Sequence, residues 1–153
     1  MTETNDELMQ EPKPREQRAI EELWSEGRLG TNDKIAAARL TAGLRFWTDW
    51  YYSRFNPEYA PAHSGAYIPD DVMTPADRYL TVYRHISPYL RNIAESILIG
   101  NDTLDRFIAR YPVLNDNAET RQAIADALVR AIDQIAEAYD ALDKNEQTEK
   151  VRK

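Results

Sequence analysis

The chain has 153 residues and a formal net charge of −7, and 42% of its residues are hydrophobic. This size and composition predict one soluble domain with a core of normal size. The apolar runs are too short for a transmembrane helix, and the acidic N-terminus lacks the apolar segment of a secretory signal. Cysteine is absent, which excludes disulfides and thiolate metal sites, and we expect a cytoplasmic protein.

The charge is distributed unevenly along the chain. Residues 34–110 carry nine basic and eight acidic side chains, a net of +1, whereas residues 112–143 carry two basic and seven acidic ones, a net of −5. The overall acidity disfavours general attraction to nucleic acid or anionic lipid. The middle of the chain still has room for a local basic patch.

Both ends of the chain are expected to be disordered. Residues 1–13 are polar and acidic, and Pro12 and Pro14 oppose a helix there. Residues 144–153 are almost devoid of apolar side chains. A single helical domain is then expected over residues 14–143.

The first half of that domain predicts two helices. The first covers about residues 15–27 and is ended by Gly27 and Gly30. Its apolar stripe consists of Ile20, Leu23 and Trp24. The segment Thr31-Asn32-Asp33 supplies a cap for the second helix, which is expected to reach about residue 55.

A long irregular loop and several further helices follow. Residues 56–73 contain three prolines and a glycine, and loops of this length are often functional. Thr74-Pro75-Ala76-Asp77 is a helix-start pattern, with a capping threonine and proline at the first helical position. Ser87-Pro88 also places proline at a helix start, so separate helices are predicted over residues 79–86 and 89–99.

The last third of the domain predicts a short helix capped by Asp102 and a long helix over about residues 117–142. Alanines beside its apolar face permit close packing with other helices. The predicted fold class is therefore all-α, a compact bundle of about five to six helices.

Signatures of catalysis and of metal or nucleotide binding are missing from the sequence. No glycine-rich phosphate motif is present, and His63 and His85 lie 22 positions apart without metal-ligand spacing. We interpret His63 as a solvated loop residue and His85 as a residue near a helix C-terminus, where the helix dipole favours it. Glu95 is a lone acid without the histidine partners of a di-metal bundle site. We expect no catalytic residue, no metal, no cofactor and no enzymatic activity.

The aromatic residues are concentrated in one segment. Residues 46–55 hold six of the fifteen aromatic side chains. At about 100° per residue, five residues of the second helix share one face, which we assign to the core. They are Leu40, Leu44, Trp47, Tyr51 and Phe55. Phe46 and Trp50 widen this face to one side, and Tyr52 stands apart beside Arg45.

Two interpretations of this segment stay open: a central helix packed by neighbours on two sides, or a surface that binds a partner. The candidate protein interface consists of Arg45, Phe46, Trp50, Tyr52, Tyr59 and Tyr67. The acidity of the chain favours a protein partner over nucleic acid. The same rings are also suited to closing a homo-oligomer.

The last third of the chain offers an alternative function. Its short helix, turn and long helix resemble a helix-turn-helix in order and length. The candidate DNA contacts at the start of the long helix are Asn117, Thr120, Arg121 and Gln122. Asp116, Glu119 and Asp126 lie in the same turns and would repel phosphates, and a plain helical hairpin would use the same residues.

Several segments share the layout of a known helical domain. They are residues 34–44, Tyr83-Arg84 ahead of Ser87-Pro88, residues 97–104 and residues 127–139. Through them, residues 34–140 resemble an uncharacterised helical domain at the C-terminus of helix-turn-helix regulators in α-proteobacteria and in related phage or gene-transfer-agent regulators. The resemblance implies a bacterial or prophage protein associated with transcription.

The chain departs from that family pattern in two ways. It has the long loop rich in tyrosine and proline, and it is expected to lack a separate N-terminal DNA-binding domain. Both departures favour a regulatory or adaptor protein that contacts other proteins over one that binds DNA directly.

Overall fold

A computed structural model describes residues 18–58 and 73–152, with side chains up to residue 146. These residues form six α-helices and one π-helical segment without any strand, so the all-α prediction is confirmed. The helices are α1 (Ala19–Ser25), α2 (Asp33–Tyr51), α3 (Pro75–His85), α4 (Pro88–Ala94), α5 (Leu104–Ala109) and α6 (Ala118–Arg152), and the π-helical segment Glu95–Ile99 continues α4. Among the described helices, none is both long enough and apolar enough to cross a membrane.

The helix starts follow the capping patterns of the sequence. The side chain of Asn32 accepts hydrogen bonds from the backbone N–H groups of Lys34 and Ile35, at 3.0 and 3.1 Å. Thr74 and Asp77 form the reciprocal bonds of a capping box at the start of α3. These bonds satisfy N–H groups that have no partner within a helix.

The cap of α5 differs from the prediction. Thr103, rather than Asp102, occupies the capping position, and its hydroxyl accepts from the backbone N–H of Arg106 at 3.2 Å. Asp102 instead forms an ion pair with Arg110 at the far end of the same helix. Hydroxyl and carboxylate side chains are both good caps; here the hydroxyl of Thr103 caps the helix while the carboxylate of Asp102 is paired with Arg110.

The core lies between α2 and α6, which the shorter helices surround. Helix α2 packs against α1, α3, the π-helical segment and α6, and α6 also packs against α3 and α4. The fully buried side chains include Ile20, Phe46, Val82, Leu90, Leu98, Leu128, Ile132 and Ile135. The interpretation of the aromatic helix as one packed by neighbours on several sides therefore describes most of its length.

The buried face of α2 is turned relative to the predicted one by about 100°, the angle of one residue. Gly43, Phe46 and Trp47 are buried, while Leu40 and Leu44 are only half-buried. The cause is close packing at a small residue, because a Cβ atom on Gly43 would overlap the Ile20 side chain and lie 3.2 Å from Leu98 Cδ2.

The C-terminal end of α2 also differs from the prediction. The helix ends at Tyr51, four residues before Phe55, and the ring of Phe55 is 37% exposed. Phe55 therefore does not belong to the core, although its ring still lies 5.7 Å from that of Tyr79.

The helix predicted over residues 89–99 widens into a π-helical turn at its end. The backbone N–H of Gly100 donates to the carbonyl of Glu95 at 2.8 Å, a bond across five residues. Asn101 follows with a φ of 58°, a left-handed conformation that asparagine tolerates better than most residues. Such π-turns frequently occur at functional sites.

The last helix is longer than predicted. Helix α6 continues to Arg152, whereas the prediction ended it near Leu142 and treated residues 144–153 as a disordered tail. The prediction relied on the lack of apolar residues. The segment contains no glycine or proline and is rich in glutamate, glutamine and lysine, which favour helix even without a core contact.

Candidate binding pocket

Phe46, a predicted interface residue, lies in the core. Its side chain has no exposed surface, and its ring stacks on that of Tyr79 with 4.9 Å between centroids. Phe46, one of the two rings that widen the predicted stripe to one side, is therefore a packing residue and takes no part in an exposed surface.

Arg45, another predicted interface residue, joins α2 to α6. Its guanidinium makes two hydrogen bonds to the carboxylate of Asp143, at 3.0 and 2.8 Å, and lies 4.1 Å above the ring of Tyr139. The hydrogen bonds from Arg45 lower the pKa of Asp143. The guanidinium of Arg45 is therefore bound within the protein.

A buried carboxylate reinforces the same joint. Asp49 is 6% exposed and accepts hydrogen bonds from Arg78 Nε at 3.1 Å and from the hydroxyl of Tyr139 at 2.7 Å. Burial raises the pKa of Tyr139, and the neighbouring charge of Asp49 raises it further. Asp49 thus ties α2 to α3 and α6, and the sequence analysis did not single it out.

Trp50 lies at a concave surface, and we name this surface the Trp50 pocket. Its volume is about 360 Å³, and it forms where the end of α2 meets the start of α1 and the end of the π-helical segment. The lining residues are Arg18, Trp47, Trp50, Tyr51, Asn56, Pro57, Glu58, Ile99 and Asn101. Three aromatic rings in one pocket of this size suit an apolar side chain.

The other predicted interface tyrosines are placed differently. Tyr52 is half-buried, and its ring meets that of Tyr51 edge to face at 5.3 Å. It neighbours the Trp50 pocket without lining it. Tyr59 and Tyr67, like His63 and the predicted N-terminal tail, lie outside the described residues.

Arg18 provides the charge of the Trp50 pocket. Its side chain is only 5% exposed, and the guanidinium lies 4.1 Å above the ring of Trp47. Its Nη2 atom donates to the carbonyls of Leu98 and Ile99, at 3.2 and 3.4 Å. The guanidinium forms no ion pair with a described residue. Burial lowers its pKa, which the charge of Glu21 partly offsets.

Two asparagines hold the walls of the pocket. Asn101 accepts a hydrogen bond from the backbone N–H of Ala19 at 2.6 Å and so fixes the π-helical end to α1. Asn56 donates to the carbonyl of Tyr51 at 2.8 Å and accepts from the backbone N–H of Glu58 at 3.1 Å. The chain beyond α2 is therefore pinned beside the rings.

A second concave surface lies between α4, α5 and the start of α6. Its volume is about 500 Å³, and apolar side chains such as Ile93, Phe107 and Ile124 line it. Tyr89 stands at its edge and is 73% exposed. The charged residues that line it, Glu119 and Arg130, are solvent-exposed, so it lacks the buried cation that distinguishes the Trp50 pocket.

The candidate DNA contacts are occupied within the protein. Asn117 accepts from the backbone N–H of Thr120 at 2.8 Å, as a helix cap does. Arg121 forms ion pairs with Asp116 and with Asp105, and its two hydrogen bonds to Asp116 are 2.8 and 3.1 Å long. Hydrogen bonds to these two carboxylates raise the pKa of Arg121.

Gln122, the remaining candidate, donates to Asp126 at 2.8 Å. At the start of α6, Asn117 thus serves as the cap, Arg121 forms surface ion pairs, and Gln122 is hydrogen-bonded to Asp126.

Within the described ranges, no group of three or more histidine and acidic side chains is placed to hold a metal ion. His85 is exposed, and its Nε2 lies 3.3 Å from a carboxylate oxygen of Glu137. Glu95 is exposed and lies close enough to Tyr83 to raise the pKa of that phenol, after the larger effect of burial.

No family model, curated protein or solved structure matches this chain. The candidate site is therefore inferred from the geometry and chemistry of its own residues. Of the residues that line the Trp50 pocket, the sequence predicted Trp50 as an interface residue and did not predict Arg18. The only sequence signal for Arg18 is its place just before a helix, where serine, threonine or asparagine is usual.

Proposed function

We propose that this protein is a non-enzymatic binding protein, a regulatory or adaptor protein of phage or prophage type that acts through protein–protein contacts. The Trp50 pocket is the observation that supports this proposal most strongly. It combines aromatic rings with a buried arginine, and tryptophan, tyrosine and arginine are the residue types that dominate binding energy at protein interfaces.

Two of the predicted interface residues leave the proposed surface as a result. Phe46 serves the core, and Arg45 is held by Asp143. Trp50 remains its centre, with Tyr51 and Arg18 beside it. The proposed interface is thus the end of α2 and its neighbours, rather than the length of that helix.

A matched pair of tryptophan variants tests this proposal. Trp24 on α1 is 45% exposed and does not line the pocket, so Trp24→Ser is the control for Trp50→Ser. We expect a protein partner from the source organism to co-purify with the wild type and with Trp24→Ser. Trp50→Ser should lose it while its helical circular dichroism spectrum is retained.

Retention of the partner by the folded Trp50→Ser variant would rule out this surface. A second copy of the chain would also suit the pocket, and sedimentation of the purified wild type measures whether it forms a dimer. A dimer that Trp50→Ser dissociates would mean that the partner is a second copy of the chain.

A further inference from the structure

We infer that the Trp50 pocket recognises an acidic side chain, aspartate or glutamate, within an apolar segment of the protein partner. This inference deepens the proposed function and depends on it. The pocket supplies a cation for the carboxylate and aromatic rings for the neighbouring apolar side chain.

Arg18 is buried at the edge of the pocket, with 5% of its surface exposed. A buried guanidinium is stable only when its charge and its donors are satisfied. Nη2 is satisfied by the carbonyls of Leu98 and Ile99, and the ring of Trp47 covers one face of the group. These contacts hold the guanidinium in place, and Glu21 acts on its charge without forming an ion pair with it, so no carboxylate of the described residues is bonded to the guanidinium.

The remaining donors of Arg18 point to the same conclusion. The Nε and Nη1 atoms make no hydrogen bond to a described residue. No fully enclosed side-chain nitrogen or oxygen of the described residues lacks a hydrogen-bond partner, and Arg18 lines the pocket. A ligand oxygen entering the pocket would accept further hydrogen bonds from the guanidinium. Because Arg18 is already buried in the free protein, binding would add little to the free-energy cost of its desolvation.

The surrounding charges select a carboxylate over a phosphate. Glu58 lines the pocket and Glu21 acts on Arg18 from α1, so one cation faces two carboxylates of the protein. A doubly charged phosphate group would meet stronger repulsion than a singly charged carboxylate. The net charge of −7 acts in the same direction.

The rings and the size of the pocket favour a peptide over a small free acid. A volume of about 360 Å³ exceeds the space that one carboxylate needs. Trp47, Trp50 and Tyr51 would cover an apolar side chain next to the acid, and this contact would supply most of the affinity.

Binding is measured through the three tryptophans of the chain. Their indole N–H signals are followed by NMR during titration with the blocked tripeptides acetyl-Leu-Glu-Leu-amide and acetyl-Leu-Gln-Leu-amide, and with sodium acetate. We expect the glutamate peptide to shift the signals of Trp47 and Trp50 and to leave that of Trp24 unchanged. The glutamine peptide should bind at least tenfold more weakly, and acetate should produce no comparable shift.

Two variants locate the effect on the proposed charges. Arg18→Met retains packing on Trp47 without the charge, and it should abolish the preference for glutamate. Glu58→Gln removes an exposed carboxylate at the pocket, and it should tighten binding of the glutamate peptide about two- to fivefold, as expected for one partly screened charge. If Arg18→Met does not fold, the Glu58→Gln variant still tests the charge selection.

Several results would overturn the inference. Absence of any shift with the glutamate peptide, equal binding of the two peptides, or equal shifts with acetate would each do so, as would a glutamate preference that survives in Arg18→Met. Equal binding of both peptides at Trp50 would leave the proposed function standing. The proposed function fails instead when folded Trp50→Ser keeps the partner protein.

Discussion

At the scale of single residues, the rings of the aromatic segment differ in what they contribute. Phe46 is completely buried against Tyr79, while Phe55 lies beyond the end of α2 and is 37% exposed. The two side chains are chemically identical, and only their surroundings distinguish them. They therefore form a matched pair for measuring core packing.

We expect Phe46→Ala to lower the free energy of unfolding by about 3–5 kcal/mol, because it removes apolar contacts and leaves a cavity. Phe55→Ala should cost about 1 kcal/mol or less, since its ring is 37% exposed and has one aromatic neighbour, Tyr79, among the described residues. Urea denaturation of both variants measures the difference. Equal losses would show that the ring of Phe46 is not the central packing residue described above.

Two buried polar residues, Asp49 and Arg18, show which features of the fold a sequence pattern does not predict. Asp49 and Arg18 are both buried, and both are stabilised by partners distant in the chain, Tyr139 at 90 positions and Leu98 at 80 positions. Local periodicity assigns charged residues to the surface, because a buried charge is costly unless a partner is present. Partners supplied by tertiary structure are not visible in local periodicity.

At the scale of the helices, the packing of α1 on α2 depends on one small residue. Gly43 is buried in the middle of α2, where glycine weakens a helix by up to about 1 kcal/mol relative to alanine. Its lack of a side chain makes room for Ile20 of α1 and Leu98 of the π-helical segment. The helix thus loses intrinsic stability and gains close contact with two neighbours.

We expect Gly43→Ala to lower the free energy of unfolding by a net of about 1–2 kcal/mol, because overpacking at about 1–3 kcal/mol exceeds the gain in helix propensity. Ile20→Val removes the methyl group that the new Cβ would overlap. The double variant should therefore lose less stability than the sum of the single ones. A thermal-denaturation double-mutant cycle measures this, and strict additivity would contradict the proposed contact.

The same glycine explains how far the sequence predicts these elements. Capping residues such as Asn32 and Thr74 act through their nearest neighbours, so the sequence alone located the starts of α2 and α3 correctly. The predicted buried face of α2 was wrong because it was chosen from the positions of the large side chains, whereas the close packing occurs at Gly43. The Trp50 pocket is formed by residues far apart in the chain, and of these the sequence predicted Trp50 as an interface residue and assigned Trp47 and Tyr51 to the core.

At the scale of the whole molecule, the distribution of charge bears on the alternative function in DNA binding. Residues 112–143, which include most of α6, carry a net charge of −5 from two basic and seven acidic side chains. Arg121, the only cation among the candidate contacts, is held by Asp105 and Asp116. Affinity for DNA depends chiefly on cations that neutralise phosphates.

We therefore expect the wild-type protein to enrich no sequence motif in selections from randomised DNA duplexes, even at low salt, where electrostatic attraction is strongest. The neutralised variant Asp105→Asn/Asp116→Asn is the sharper test, because it frees Arg121 and changes the net charge from −7 to −5 (−7 + 2). One freed arginine adds about one phosphate contact, which is far fewer than the six to ten that give strong salt-dependent binding. Neither protein should then retard a duplex in a native gel at micromolar concentration. A motif enriched by the wild type and weakened by Arg121→Ala would instead establish DNA recognition by the start of α6, and the internal ion pairs of Arg121 would have to open when DNA binds.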